Sequence, residues 1–314
     1  MPSHVAPSFD LSVTAAVALP FLADGEIDWS GFAALLRFCM RPGVTALFVN
    51  GHAGEVASLS DDERGAVVRA ARAVMGPDMP LIAGIVADST LLAIRLAKQA
   101  RDAGADVLTL FPPAPFAAAG ALRGDMAFAY VSAIDAAVEM PLALFQYPLQ
   151  SGGYDTATLV RLAGIARVVA VKEGSDSMLA YEQNWRALKA VRPDLQVLPS
   201  NYDWFLAQLA VGSDGLLSGL AGLVPDLLAD FWQATQRADL RAMREMNDRL
   251  WPLVQAIYAQ PRVQIHARIK TALALLGVID RDLSRPPILP VSTASVAHIR
   301  NALTAAGLLP ERLS

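Results

Sequence analysis

Lysine is scarce in this sequence: of its 26 Lys and Arg residues only four are lysines, Lys98, Lys172, Lys189 and Lys270. Lys172 closes the run Val168-Val169-Ala170-Val171, so its amine projects from the end of a strongly apolar segment. An unperturbed lysine has a pKa of about 10.4 and is almost wholly protonated at neutral pH. Bringing it to about 7 means disfavouring the ammonium by roughly 4–5 kcal/mol, which burial among apolar groups can supply. A neutral amine so placed attacks a ketone and forms a Schiff base. The protonated imine then accepts the electrons released when a C–C or C–O bond breaks beside the carbonyl carbon. The alternative is a strand-end lysine paired with Glu173, and periodicity alone leaves both open.

Two further groups have comparable promise. Tyr147 ends the apolar run that starts at Leu142. It is either a half-buried core residue with its hydroxyl at the water boundary or an acid/base that shuttles protons during imine formation and bond cleavage. Gly51-His52-Ala53-Gly54-Glu55 follows the run Ala46–Asn50. Two glycines flanking two residues let backbone amides face an anion such as a carboxylate, or simply make a tight turn. The histidines, His4, His52, His266 and His298, show no metal-ligand spacing, and Cys39 is the only cysteine. Neither a metal site nor a disulfide framework is expected.

Short apolar runs alternate with longer segments of helical period. The predicted strands are 12–18, 46–50, 81–86, 107–111, 142–147, 168–172, 196–199 and 215–218. Most lack polar alternation, as strands of a parallel sheet buried on both faces do. Helix starts are marked by the capping box Ser60-Asp61-Asp62-Glu63, by Ser89 or Thr90, by Asp155, and by Pro225 in a first turn; Gly104 marks a helix end. Eight strands each followed by a helix predict an α/β fold, a (β/α)8 TIM barrel. A doubly wound sheet would want a glycine-rich phosphate turn after its first strand, where this chain has Leu19-Pro20-Phe21. Helical patterns over 239–259, 263–277 and 294–306 predict a C-terminal helical extension. The expected division is residues 1–235 for the barrel and 236–314 for the helical domain. In such a barrel the active site sits at the carboxyl ends of the strands, which brings Lys172, Tyr147 and the turn after the second strand to one mouth.

The 314 residues are 54% hydrophobic and 18% charged with a formal net charge of −4, so a large core is affordable and a nucleic-acid footprint is absent. No apolar run reaches the length of a membrane span and no signal peptide is evident, which leaves a soluble cytoplasmic protein as the expectation.

At these residues the chain resembles the dihydrodipicolinate synthase / N-acetylneuraminate lyase family of class I aldolases and lyases. Gly51 to Glu55 resembles the family's Gly-Thr-Thr-Gly-Glu turn. Leu59-Ser60 with Asp62-Glu63 follows it at the family spacing, and Pro80 to Gly84 with Ser89-Thr90 and Gly104-Ala105-Asp106 fits the next two units. Tyr147 falls on the family's tyrosine, and Val169 to Glu173 with Asp176 on its Schiff-base lysine motif. Gly212 to Ser218 with Pro225, and Lys270 to Gly277 with Arg285-Pro286, extend the likeness to residues 10–310. The resemblance implies a homo-oligomer, tetramer or dimer, and a pyruvate-type 2-keto acid substrate held as an imine without metal or organic cofactor.

The chain also departs from the family. His52 and Ala53 stand where the turn has threonines, whose hydroxyls hold the substrate carboxylate and relay protons. Gly152 stands about where the synthase branch carries an arginine, and Ala114 near its tyrosine, which argues against a dihydrodipicolinate synthase proper. With an unperturbed pKa of about 6.5, His52 suits proton relay, or it is a structural ring in the mouth. The expected function is a Schiff-base aldolase or lyase. Lys172 is its nucleophile, Tyr147 and His52 its proton carriers, and Gly51, Ala53, Gly54, Leu217 and Ser218 its substrate contacts. Glu55 is expected to organise the turn. The alternatives are a dehydratase or hydratase using the same imine, and a non-catalytic small-acid-binding descendant. Phe111, Phe116, Phe145, Leu217, Tyr202 and Trp204 make the expected mouth apolar, which favours an aromatic or aliphatic tail.

Overall fold

All eight apolar runs form strands: β1 (Val13–Ala16), β2 (Ala46–Val49), β3 (Leu81–Ile85), β4 (Val107–Leu110), β5 (Leu142–Gln146), β6 (Val168–Glu173), β7 (Gln196–Pro199) and β8 (Leu216–Ser218). The computed structural model describes residues 9–117, 123–200 and 204–310; His4 and Tyr202 lie outside them. Every ladder is parallel, in the order β7-β6-β5-β4-β3-β2-β1-β8. Between β7 and β8 a side chain does the joining: the Asp214 carboxylate accepts from the Val197 amide at 2.9 Å while the Asp214 amide donates to the Val197 carbonyl at 3.0 Å. The result is a nearly closed eight-stranded TIM barrel.

Around it run α1 (Trp29–Cys39), α2 (Asp61–Met75), α3 (Thr90–Asp102), α4 (Ala114–Ala117), α5 (Gly124–Val138), α6 (Thr156–Ala163), α7 (Met178–Val191), α8 (Phe205–Val211), α9 (Gly219–Leu223) and α10 (Pro225–Gln236). The helix starts follow the sequence signals. Ser60 and Glu63 form the reciprocal capping box of α2, Ser89 caps α3, Asp155 caps α6, and Pro225 opens α10. After the turn at 237–239 come α11 (Leu240–Ile257), α12 (Ile265–Leu275) and α13 (Thr293–Ala305), which pack back on the barrel. α12 lies against both α9 and the turn at His52–Gly54, and this contact completes the site. Among the described residues no helix is long and apolar enough to cross a membrane.

Two apolar layers sandwich the strands. Phe48, Ile82, Ala143, Phe145, Leu198 and Leu217 point into the barrel, while Leu47, Leu81, Leu142, Leu144 and Val197 meet the helices. The alternation breaks once. Leu142 pairs with Val168 but Ala143 pairs with Ala170, so β6 carries one extra residue at its start. From there Val171 is level with Leu144, and Lys172 with Phe145. Because strand side chains alternate with period two, one extra residue moves everything beyond it to the other face. The bulge therefore turns Lys172 into the barrel and Glu173 out towards α7.

Candidate active site

The outward turn of Glu173 removes it as a partner for the lysine. Its carboxylate accepts from Ser175 Oγ and, at 3.0 Å, from Asn184 Nδ2 on α7; burial raises its pKa to about 7. Lys172 is only 7% exposed, and among the described residues no carboxylate forms an ion pair with it. Its Nζ stands 4.0 Å from the centre of the Phe145 ring and 5.2 Å from that of Phe48. Burial lowers its pKa to about 7. The aromatic faces oppose this, but cation–π attraction is worth about 0.5–2 kcal/mol against a burial penalty of roughly 4–5 kcal/mol, so burial wins. The other lysines differ: Lys270 is buried on Glu55, Lys189 pairs with Asp214 at 3.0 Å, and Lys98 is exposed.

Tyr147 follows β5 directly, and its Oη lies 2.9 Å from His52 Nε2 with the two rings nearly parallel. Burial raises the Tyr147 pKa, so the phenol holds its proton and shares a hydrogen bond with His52 Nε2 whose direction follows the imidazole tautomer. His52 is open to solvent on one side but packs against Phe111 and Phe145 on the others. Desolvation, with the nearby Lys172 charge, lowers its pKa to about 4. Water at the open side tempers the drop without reversing it, so the ring is neutral at neutral pH.

The turn that carries His52 is built for this position. Asn50 (φ 54°) and Glu55 (φ 51°) bracket it in left-handed conformation. A Cβ at Gly51 would stand 2.7 Å from the Phe48 ring, so only glycine fits there. Glu55 closes the turn from below: it pairs with Lys270, accepts from Ser284 Oγ at 2.8 Å and from the Arg285 amide at 3.2 Å. Glu55 thus organises the turn, tying it to α12 and to the segment after it.

A cavity of about 190 Å³ at the carboxyl ends of the strands has His52, Ala53, Phe145, Lys172, Leu217 and Ser218 on its wall; Tyr147 is linked to it through His52 and is not itself a wall residue. Gly51 and Gly54 shape the turn behind it. Ser218 Oγ also caps α9 by accepting from the Leu220 amide at 3.1 Å. Phe145 lines the cavity with Phe111 buried behind it against Phe145 and His52, whereas Phe116 turns away to stack edge-on against Tyr130. The wall also holds residues that the sequence reading did not place there: Gly174, Ser200, Tyr258 and, from the start of α12, His266. The His266 ring centre lies 6.4 Å from that of His52, its Nδ1 is buried without a hydrogen-bond partner, and burial lowers its pKa to about 3. No local pattern marks His266, because only the docking of α12 brings it to the strand ends. Among the described residues no cluster of His, Cys, Asp and Glu could hold a metal ion.

The model of the Dihydrodipicolinate synthetase family matches residues 10–306 of this chain. The chain belongs to that family. The chemistry of that family is pyruvate-dependent aldolase and lyase chemistry through a Schiff base. A 4-hydroxy-tetrahydrodipicolinate synthase of Nitratidesulfovibrio vulgaris is 30% identical over 94% of this chain and 97% of its own length. A monomeric dihydrodipicolinate synthase variant superposes with a TM-score of 0.89 at 25% identity, covering 97% of this chain and all of that one. The dihydrodipicolinate synthase of Acinetobacter baumannii, solved with pyruvate, superposes at 0.84 with 26% identity, covering 96% of this chain and 100% of that one. Within the family frame, Gly152 has a structural reason to lack a side chain. Its φ is +83° and a Cβ there would lie 3.0 Å from the Ala117 amide nitrogen, so an arginine would strain the backbone and crowd α4.

Proposed function

We propose that this family member binds a 2-keto acid as an imine on Lys172 and makes or breaks a C–C bond beside the carbonyl. The observation that carries this reading is the buried Lys172 amine, unpaired with any described carboxylate, in one cavity with His52, whose Nε2 is 2.9 Å from the Tyr147 hydroxyl. With a pKa near 7, a large share of the amine is neutral at neutral pH and attacks the C2 carbonyl carbon. Tyr147 gives its proton to the departing hydroxyl, water leaves, and the iminium remains. In the cleavage direction the C4 hydroxyl loses its proton, the C3–C4 bond breaks, and its electrons enter the iminium to give an enamine. Protonation at C3 and hydrolysis return the keto acid and the free amine.

A phenol that holds its proton this tightly is a poor base alone. His52 Nε2 is in position to take that proton as Tyr147 receives one from the substrate, and then to return it. His52 thus replaces the family's threonine as proton relay. The turn from Gly51 to Gly54 takes the carboxylate end, with the His52 and Ala53 amides as donors, and Leu217 and Ser218 complete the contact surface. The absent loop arginine and the backbone at Gly152 favour a substrate other than that of the synthases. Borohydride reduction in the presence of pyruvate, followed by peptide mass spectrometry, tests the reading. A reduced adduct on Lys172 is expected; its absence with pyruvate and with longer 2-keto acids would overturn it.

A further inference from the structure

A second, larger cavity of about 450 Å³ adjoins the lysine cavity, between the short helical turns after β2 and the C-terminal segments around Val263 and Pro287. His52 and His266 are the two residues common to both walls. The two imidazoles stand between the cavities, so a group tethered at Lys172 and extending into this cleft would pass them. The size difference matters. Pockets that enclose a whole ligand of moderate size run from about 300 to 1,000 Å³, so the lysine cavity alone holds little more than the reacting keto acid end.

The surface of the cleft is chiefly apolar: Val56, Ala57, Val263, Ala267, Pro287 and Ile288. The charged residues on its wall are engaged elsewhere. Glu55 is held by Lys270, Ser284 and Arg285. The Arg285 guanidinium binds Glu63 at 2.5 and 2.9 Å, the Gly25 carbonyl at 2.8 Å and the Ser58 carbonyl at 2.9 Å. Arg262 sits at the rim, 3.7 Å from Asp176 across the mouth. Both histidines at the junction have depressed pKa values and are neutral at neutral pH, which keeps the passage compatible with hydrocarbon.

We infer that this cleft holds the non-reacting tail of the substrate, and that the tail is apolar, a branched or straight aliphatic chain or an aromatic ring. The inference rests on the Schiff-base reading for its anchor point. It assigns the acceptor as an apolar aldehyde rather than a sugar or a dicarboxylate semialdehyde.

The test is borohydride trapping with pyruvate, 2-oxobutyrate, 2-oxopentanoate, 2-oxohexanoate and 2-oxoadipate, read as the half-saturating concentration of each acid. It is run beside calorimetry with the unreactive acids from butanoate to octanoate. Each methylene that enters the cleft should tighten binding about fourfold, the equivalent of about 0.8 kcal/mol. Ala57 is exposed, so Ala57→Trp fills the cleft from its rim and should flatten the series relative to the variant's own pyruvate value. Val263→Trp on the opposite wall, at a residue 66% exposed, gives the same readout if the first variant does not fold. A flat series in the unaltered protein, or 2-oxoadipate binding more tightly than 2-oxohexanoate, overturns the cleft and leaves the Schiff-base reading standing. If no keto acid is trapped, the Schiff-base reading falls and the unreactive acids decide the cleft. A length dependence lost in Ala57→Trp then supports it, and no length dependence overturns it.

Discussion

The environment of Lys172 makes a thermodynamic prediction that needs no substrate. In the folded protein its pKa is about 7, lowered by burial, while the unfolded chain returns it to about 10.4. Between these values the unfolded chain binds more protons, so the lysine's contribution to stability improves as pH rises and is worst below the folded value. Replacing it by an isosteric apolar residue, Lys172→Met, removes the penalty. With the aromatic faces of Phe145 and Phe48 offsetting part of the burial term, the variant should be more stable by about 2–4 kcal/mol at pH 6. A folded pKa near 7 implies that the advantage shrinks by about 2–3 kcal/mol between pH 6 and pH 9. Glu173 titrates in both proteins and cancels in the difference; His52 and His266 are held neutral chiefly by burial, which the substitution leaves in place. The assay is denaturant unfolding of the two proteins at four pH values in that window, followed by fluorescence and circular dichroism. A variant less stable than its parent at pH 6, or a difference that does not change with pH, would refute the reasoning, because either means that the ammonium is not disfavoured in its site.

The remaining predictions concern the proton carriers and the turn that holds them. Tyr147→Phe should lower turnover by about 10²–10⁴-fold, measured at saturating substrate, while borohydride trapping on Lys172 persists. His52→Ala should lower turnover far more than it lowers trapping; equal and small effects on both would remove the relay. Glu55→Gln leaves Lys270 buried without its carboxylate, and loss of one partner of a buried pair costs about 3–5 kcal/mol in unfolding free energy. That loss should be seen as a lower denaturation midpoint.

Much of the site was legible before any coordinates. The barrel follows from eight apolar runs at regular spacing, since strands buried on both faces must be apolar throughout. Capping residues such as Ser60 and Asp155 act within a few residues of themselves, so they are readable locally. Once the barrel is set, the rule that active sites sit at strand carboxyl ends predicts one mouth for Lys172, Tyr147 and the turn holding His52, but the 2.9 Å contact between Tyr147 and His52 could be read only from the structure. The loop side chains were harder. Phe116 was expected in the mouth and instead packs on Tyr130, because a short helix at 114–117 sets its direction.

The residue types and order in the chain determined the fold, the strand-end position of Lys172 and the turn beside it. Which way Lys172 faces could not be read, for the same reason that the strands were easy to find. A continuous apolar run has no polar alternation to mark its two faces. One extra residue at the start of β6 decides that the lysine enters the barrel and that Glu173 leaves it. The remaining wall came from far along the chain. The pairing of Lys270 with Glu55 seats α12 on the turn and brings His266 to the junction of the two cavities, a contact between segments more than two hundred residues apart. Patterns along a chain report local preferences and the period of burial. Register across a ladder and the docking of one helix on another are settled only when every apolar face and buried charge finds its partner at once.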